Sequence, residues 1–178
     1  MEATVRQLIR RLVERRIFTT EEANEMLTPL DLPWFCVHPD CALPGAPALV
    51  PPSYETTDSV GCDLAAYLWE PLTIDPGDAK VIRTGWSVDM PPGTECQIRS
   101  RSGLAAKFGV SVLNSPGTIE SDYHPNDIKV ILHNGGPAPF VVNHGDRIAQ
   151  AVFNHITRAS NAEYKNQTRT GGLGHTGR

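Results

Sequence analysis

From about residue 60 onward a turn signal interrupts the chain every few residues, and this punctuation limits the possible folds more than any other feature. The interruptions include Pro76-Gly77-Asp78, Pro91-Pro92-Gly93, Asn134-Gly135-Gly136 and His144-Gly145-Asp146. Each combines residues that fix or free the backbone with residues that favour a turn locally. Between them lie short runs with apolar residues, at 80–90, 94–101, 128–133, 140–142 and 147–154. Runs of this length suit strands, and no helical pattern separates them. The predicted class is all-β, a sandwich or barrel. With 178 residues, 40% of them hydrophobic and 20% charged, the chain can bury one core and carry a short appendage.

The ends differ from this middle. Val5, Leu8, Ile9, Leu12 and Val13 fall on one face of a helix. Thr19 with Glu22 then makes a capping-box pattern, Ala23, Met26 and Leu27 supply an apolar side, and Pro29 ends it. The pattern predicts an N-terminal helical hairpin over 4–28, within a segment 1–30. Its other face carries Arg6, Arg10, Arg11, Arg15 and Arg16 with Glu2 and Glu14 interspersed, a pattern more typical of a solvated face than of a nucleic-acid contact. Residues 29–58, rich in Pro and Ala, form an extended connector leading into a β domain that spans 31–158. The last segment, 159–178, has few core-forming residues and a Gly-rich run, which predicts a mobile arm that orders on a ligand or a neighbouring subunit.

The formal net charge of −4 argues against bulk nucleic-acid binding but leaves room for a local basic pocket that takes a small polyanion. No signal-peptide pattern or membrane-length apolar run is present, so a cytoplasmic chain with reduced thiols is expected. Cys36, His38 and Cys41 lie close in sequence, but no second Cys/His pair follows at finger spacing, and a structural zinc is not expected.

Several stretches carry chemistry rather than packing. Gly61-Cys62-Asp63-Leu64 pins a carboxylate beside a glycine. Arg101-Ser102-Gly103-Leu104 joins a guanidinium, a hydroxyl and an open backbone, the parts of a small phosphate cradle. Asn114-Ser115-Pro116-Gly117-Thr118-Ile119-Glu120-Ser121-Asp122-Tyr123 packs an amide, two carboxylates and a ring around one turn. Gly171-Gly172-Leu173-Gly174-His175-Thr176-Gly177 bares backbone N–H groups that suit phosphate oxygens, without the Lys-Ser/Thr ending of a Walker loop. With Gly145-Asp146-Arg147-Ile148-Ala149-Gln150 as the fourth in chain order and the Gly-rich run as the fifth, these stretches resemble the five ordered motifs of the trimeric dUTPase family (deoxyuridine 5′-triphosphate nucleotidohydrolase), Gly61–Leu64 being the first, the stretch from Arg101 the second and Asn114–Tyr123 the third. The resemblance covers about residues 38–178.

The resemblance implies a β jelly roll of the β-clip kind and a homotrimer. Each active site would draw on all three subunits, and the C-terminal arm would close over a neighbour's site. It implies Mg²⁺-dependent hydrolysis of dUTP to dUMP and pyrophosphate by water attack on the α-phosphorus. By position, Asn114, with Gly117 and Thr118 of its hairpin, would read the uracil edge. Tyr123 would pack on the deoxyribose and exclude a ribose. Arg101, Ser102, Gly103 and Gln150 would hold phosphate oxygens. Asp63 would hold a water of the Mg²⁺ shell, and Glu120 would position the attacking water. Arg169, Gly172, Leu173, Gly174, His175 and Thr176 would belong to the closing arm.

The chain departs from the family pattern at four points. Glu120 stands where the family carries Asp, moving the carboxylate by roughly one bond length, and misplacement on that scale can cost about 10²-fold in rate. The turn His124-Pro125-Asn126-Asp127 is one residue longer than usual. Leu173 replaces an aromatic that stacks on the base. Arg169 lies two residues before Gly171 rather than three before the paired glycines. Two other readings stay open: a pyrophosphohydrolase for another, modified pyrimidine deoxynucleotide, and a non-enzymatic nucleotide-sensing regulator. The dCTP deaminases share the fold and use a Glu in the strand after motif three. Residues 128–134 contain no acid, which disfavours deamination.

Overall fold

The structure is a computed structural model in which residues 32–37 and 44–159 are described. The hairpin expected over 4–28, His38 and Cys41 of the Cys/His group, and the Gly-rich arm lie outside the described residues. The chain divides at Leu32/Pro33, and the described part of the second unit is mostly β. In order it comprises β1 (Trp34–Cys36), β2 (Cys62–Ala65), β3 (Leu72–Ile74), β4 (Ala79–Arg83), β5 (Trp86–Val88) and β6 (Thr94–Arg99). A short helix α1 (Ser102–Phe108) follows, then β7 (Val110–Val112), β8 (Gly117–Glu120), a single 3-10 turn at Ser121–Tyr123, β9 (Lys129–Asn134), β10 (Phe140–Val142) and β11 (Arg147–His155).

Among the described residues every strand pair is antiparallel, which is consistent with a jelly roll. One sheet runs β2-β11-β6-β8 and a second β4-β9-β7, and β1-β5 and β3-β10 form two further two-stranded sheets. The two-residue period sorts each strand into an inner and an outer face. In β9, Val130, Leu132 and Asn134 are buried while Lys129, Ile131 and His133 are half-exposed. Leu64, Ile98, Ile148 and Ala151 of the larger sheet and Ile82, Val110, Val130 and Leu132 of the second make up much of the core. Asn134 is fully buried among them. Its amide donates to the carbonyls of Ile74 and Ala138, both at 2.8 Å, and its Oδ1 accepts from the Gly136 amide at 2.9 Å. Every polar atom of that side chain is thereby satisfied, which is the condition for burying it.

Two features differ from the sequence expectation. The run 80–90 is two strands in different sheets: β4 pairs with β9 and β5 with β1. Gly85, at φ +77°, makes the break, and Thr84 is buried there with its hydroxyl donating to the Ile128 carbonyl at 2.8 Å. The apolar alternation continues across the break, so the pattern alone does not reveal it. The second difference is α1, which begins inside the phosphate-cradle motif. Seven residues are too few for a helical period to show in the sequence. Gly109 ends the helix in the left-handed region at φ 68°, its N–H directed to the carbonyls of Ala105 and Leu104. A Cβ there would also lie 2.8 Å from the Gly136 nitrogen, so only glycine fits on both counts.

Candidate active site

A cleft of about 340 Å³ opens where β2, β11 and the start of α1 meet. Register explains its composition. Asp63 on β2 sits directly opposite Gln150 on β11, so both side chains project from the same face of the sheet. Arg147 lies three residues before Gln150, a spacing that in a regular strand would send it to the other face. The register of β11 against β2 shifts between Arg147 and Ala149, leaving Arg147 opposite Ala65. This bulge brings Arg147 back to the Asp63 face.

The side chains form one linked group. Asp63 Oδ1 meets Arg101 Nε at 3.1 Å and its Oδ2 meets Arg147 Nη1 at 3.2 Å. Arg147 Nη1 also pairs with Glu55. Arg101 Nη1 donates to the Arg147 carbonyl at 2.8 Å, tying the loop before α1 to the start of β11. Gln150 Nε2 donates to the Ser100 carbonyl at 2.9 Å, and a Cβ on Gly61 would collide with the Gln150 side chain. Glycine at 61 is therefore what lets Gln150 stand in the cleft. Ser102 and Gly103 open α1, which has no side-chain cap, and a Cβ on Gly103 would meet nothing within 4 Å. The first amides of a helix lack carbonyl partners and suit an anion.

Two thiols lie in the sheet beneath. Burial, with the Asp63 charge as a smaller cause, pushes Cys62 from 9.0 up to about 11. Burial, then the Cys62 and Glu95 charges, pushes Cys96 up to about 12 against a hydrogen bond to the Val152 backbone. Both are protonated at neutral pH and neither serves as a nucleophile there. The lining instead offers the Arg101 guanidinium, the Ser102 hydroxyl, the Gln150 amide and the Asp63 and Glu55 carboxylates, with Arg147 paired to both carboxylates beside it.

A family model described as dUTPase matches residues 49–177. The chain belongs to the dUTPase family. The deoxyuridine 5′-triphosphate nucleotidohydrolase of Chlamydia muridarum (strain MoPn / Nigg) is 47% identical to it over 131 residues, covering 71% of this chain and 90% of that one. The protein of the same description from Anaplasma marginale (strain St. Maries) is 46% identical over 130 residues, covering 71% and 88%. Among solved structures, the dUTPase of Streptococcus mutans matches with a TM-score of 0.57 at 28% identity over 62% of this chain and 88% of that one. The dUTPase from phage phi11 of S. aureus matches with a TM-score of 0.62 at 18% identity over 78% and 98%, a likeness of fold alone.

In this dUTPase-family chain the cleft unites Asp63, Arg101, Ser102, Gly103 and Gln150, which come from the first, second and fourth motifs. The third motif lies elsewhere. Glu120 and Thr118 are on the exposed side of β8, opposite Glu95 and Gln97 of β6. From the strand registers, the Cα atoms of Glu120 and Gln150 are roughly 16 Å apart, two strand spacings across and four residues along. Asn114 rests against Gly117, where a Cβ would come 3.2 Å from the Asn114 amide nitrogen. Tyr123 is 6% exposed, and its hydroxyl donates to the Asp127 carbonyl at 3.1 Å. Arg169, Gly172, Leu173, Gly174, His175 and Thr176 lie outside the described residues. Sequence reading missed Glu55, Ser59, Val60, Gly61 and Arg147 as site residues. Gly61 and Arg147 stand inside recognised motifs and were open to inference; Glu55 carried no sequence signal.

Proposed function

We propose that this chain is a dUTP diphosphatase that hydrolyses dUTP to dUMP and pyrophosphate, working as a homotrimer with shared sites and with Mg²⁺ carried on the substrate. The observation that supports this most directly is the convergence of Asp63, Arg101, Ser102, Gly103 and Gln150 in one cleft. Arg101, the Ser102 hydroxyl and the Gln150 amide donate to phosphate oxygens, with the amides at the start of α1 beside them. Phosphoryl chemistry needs this positioning and charge neutralisation more than covalent catalysis. The Arg101 charge offsets negative charge that builds on the leaving oxygens as the bond to the α-phosphorus breaks.

Glu120 takes a proton from the water that attacks the α-phosphorus, and pyrophosphate departs with the bond electrons. Within one chain Glu120 is too far from the cleft for this, so a second copy supplies it. The same copy brings Asn114, Gly117 and Thr118 to the uracil edge, and Tyr123 to the deoxyribose. The arm of a further copy closes the site with Arg169, Gly172, Leu173, Gly174, His175 and Thr176. Bound Mg²⁺ supplies charge neutralisation and alignment of the phosphates. Among the described residues no three His, Cys, Asp or Glu side chains group as a metal site. The donors fit a cation held mainly by its polyphosphate, with Asp63 reached through water. Asp63 accepts one arginine on each oxygen, which leaves lone pairs for that water.

The proposed organisation is a helical hairpin at 1–30, the β domain at 31–158 and the arm at 159–178. A cytoplasmic setting fits the unpaired thiols of Cys36, Cys62 and Cys96. Among the described residues no helix is long and apolar enough to cross a membrane.

The test is pyrophosphate release from each deoxynucleoside triphosphate in Mg²⁺, with light scattering on the same sample. The expected result is release selective for dUTP from a trimer. Release from a different base alone, binding without turnover, or a monomer that is fully active would each overturn the corresponding part of the reading.

A further inference from the structure

Glu55 stands in the cleft without belonging to any motif. The loop that carries it is anchored on both sides. The Asp63 amide donates to the Ser53 carbonyl at 2.8 Å, two residues before Glu55. One residue after it, the Thr56 amide donates to Ser59 Oγ at 3.0 Å, and the Ser59 amide donates to the Thr56 carbonyl at 3.1 Å. Held this way, Glu55 reaches Arg147 Nη1, the nitrogen that also meets Asp63 at 3.2 Å. The two carboxylates that line the cleft are therefore matched by two guanidinium groups, Arg101 in the lining and Arg147 beside it, and this neutral group takes up a polyanion more readily when one carboxylate gives way.

The two carboxylates differ in how firmly they are held. Asp63 is on a strand, its side chain is 10% exposed, and each of its oxygens faces an arginine. Glu55 is on a loop, and its side chain is 58% exposed, so water screens its ion pair. We propose that Glu55 is a displaceable counter-ion: it holds the Arg147 guanidinium beside the cleft, against Asp63, and is exchanged for a phosphate oxygen when a triphosphate binds. Arg147 is thus kept in place by a group that the substrate outcompetes, and it becomes a further phosphate contact beside Arg101, Ser102, Gly103 and Gln150. On product release Glu55 returns and helps expel pyrophosphate. Glu55 is a positioning residue acting through Arg147. The inference rests on the reading of this cleft as the triphosphate site.

The experiment compares wild type, Glu55→Gln, Glu55→Asp and Arg147→Gln, and the double variant Glu55→Gln/Arg147→Gln. Two quantities are measured: the Kd of inorganic pyrophosphate by calorimetry at low and high salt, and the KM and kcat for dUTP with Mg²⁺. Glu55→Gln keeps a side chain of the same size and removes the charge. It should tighten pyrophosphate binding and lower KM by roughly two- to tenfold, the range expected for a partly exposed charge pair, while kcat does not rise. The gain should shrink at high salt, be absent in Glu55→Asp, which keeps the charge, and vanish when Arg147 is already Gln. Unchanged or weaker pyrophosphate binding in Glu55→Gln overturns the inference. So does a gain that persists in full without Arg147. A wild-type chain that turns over no dUTP would sink the functional reading instead, and the calorimetry would still decide the role of Glu55.

Discussion

At the scale of single residues, the cleft depends on which atoms each side chain is permitted to meet. Asp63 presents both oxygens to arginines, Gln150 has room because residue 61 has no side chain, and Gly117 lets Asn114 lie close against β8. Glu120 is the residue on which the proposed chemistry turns. Its carboxylate lies on the exposed side of β8, and in the proposed trimer a neighbouring copy presents its cleft there. Glu120→Gln keeps the shape and removes the ability to accept a proton. Turnover should drop by about 10²- to 10⁴-fold, with the Kd for a non-hydrolysable dUTP analogue little changed. Rapid-quench kinetics and calorimetry on the variant check this, and turnover near the wild-type rate would remove Glu120 from the mechanism.

At the scale of elements, short pieces place the site. The helix α1 turns the chain out of β6 so that Ser102 and Gly103 face the cleft, and Gly109 stops it after two turns. Gly109→Ala would force a side chain into the left-handed region and against the Gly136 backbone at once. Strain at the first and overpacking at the second together should lower stability by about 2–4 kcal/mol. Urea denaturation should show a lower midpoint at constant slope; a variant as stable as wild type would mean that the 135–136 turn moves aside easily. The bulge in β11 is the other decisive element. Without it Arg147 and Gln150 would point to opposite faces, and the cleft would lose either its second guanidinium or its amide.

At the scale of the molecule, the larger sheet serves two purposes, burying apolar residues on one face and carrying Asp63, Gln150, Thr118 and Glu120 on the other. The buried face also sets a pH limit. Cys62 and Cys96 titrate near 11 and 12 in the folded chain but close to 9.0 once exposed. Between those values the unfolded chain releases thiol protons that the folded chain keeps, so their contribution to stability is complete below pH 9 and falls as pH rises above it. Thermal melts should show a Tm that declines from about pH 9 upward, and the decline should lessen in Cys62→Ala/Cys96→Ala; equal slopes in both proteins would remove the thiols as its cause. The sequence by itself determined the β class, the runs now seen as β6, β9, β10 and β11, and the cleft residues Asp63, Arg101, Ser102, Gly103 and Gln150. Turn residues and chemical motifs act over a few neighbouring positions and so are visible in a linear string. The tertiary structure alone decided the division of 80–90 between two sheets, the presence of Glu55, the return of Arg147 to the Asp63 face, and the separation of Glu120 from Gln150 within one chain. Each of these depends on register between strands distant in sequence, and register is set by how whole faces pack together, which no local pattern records.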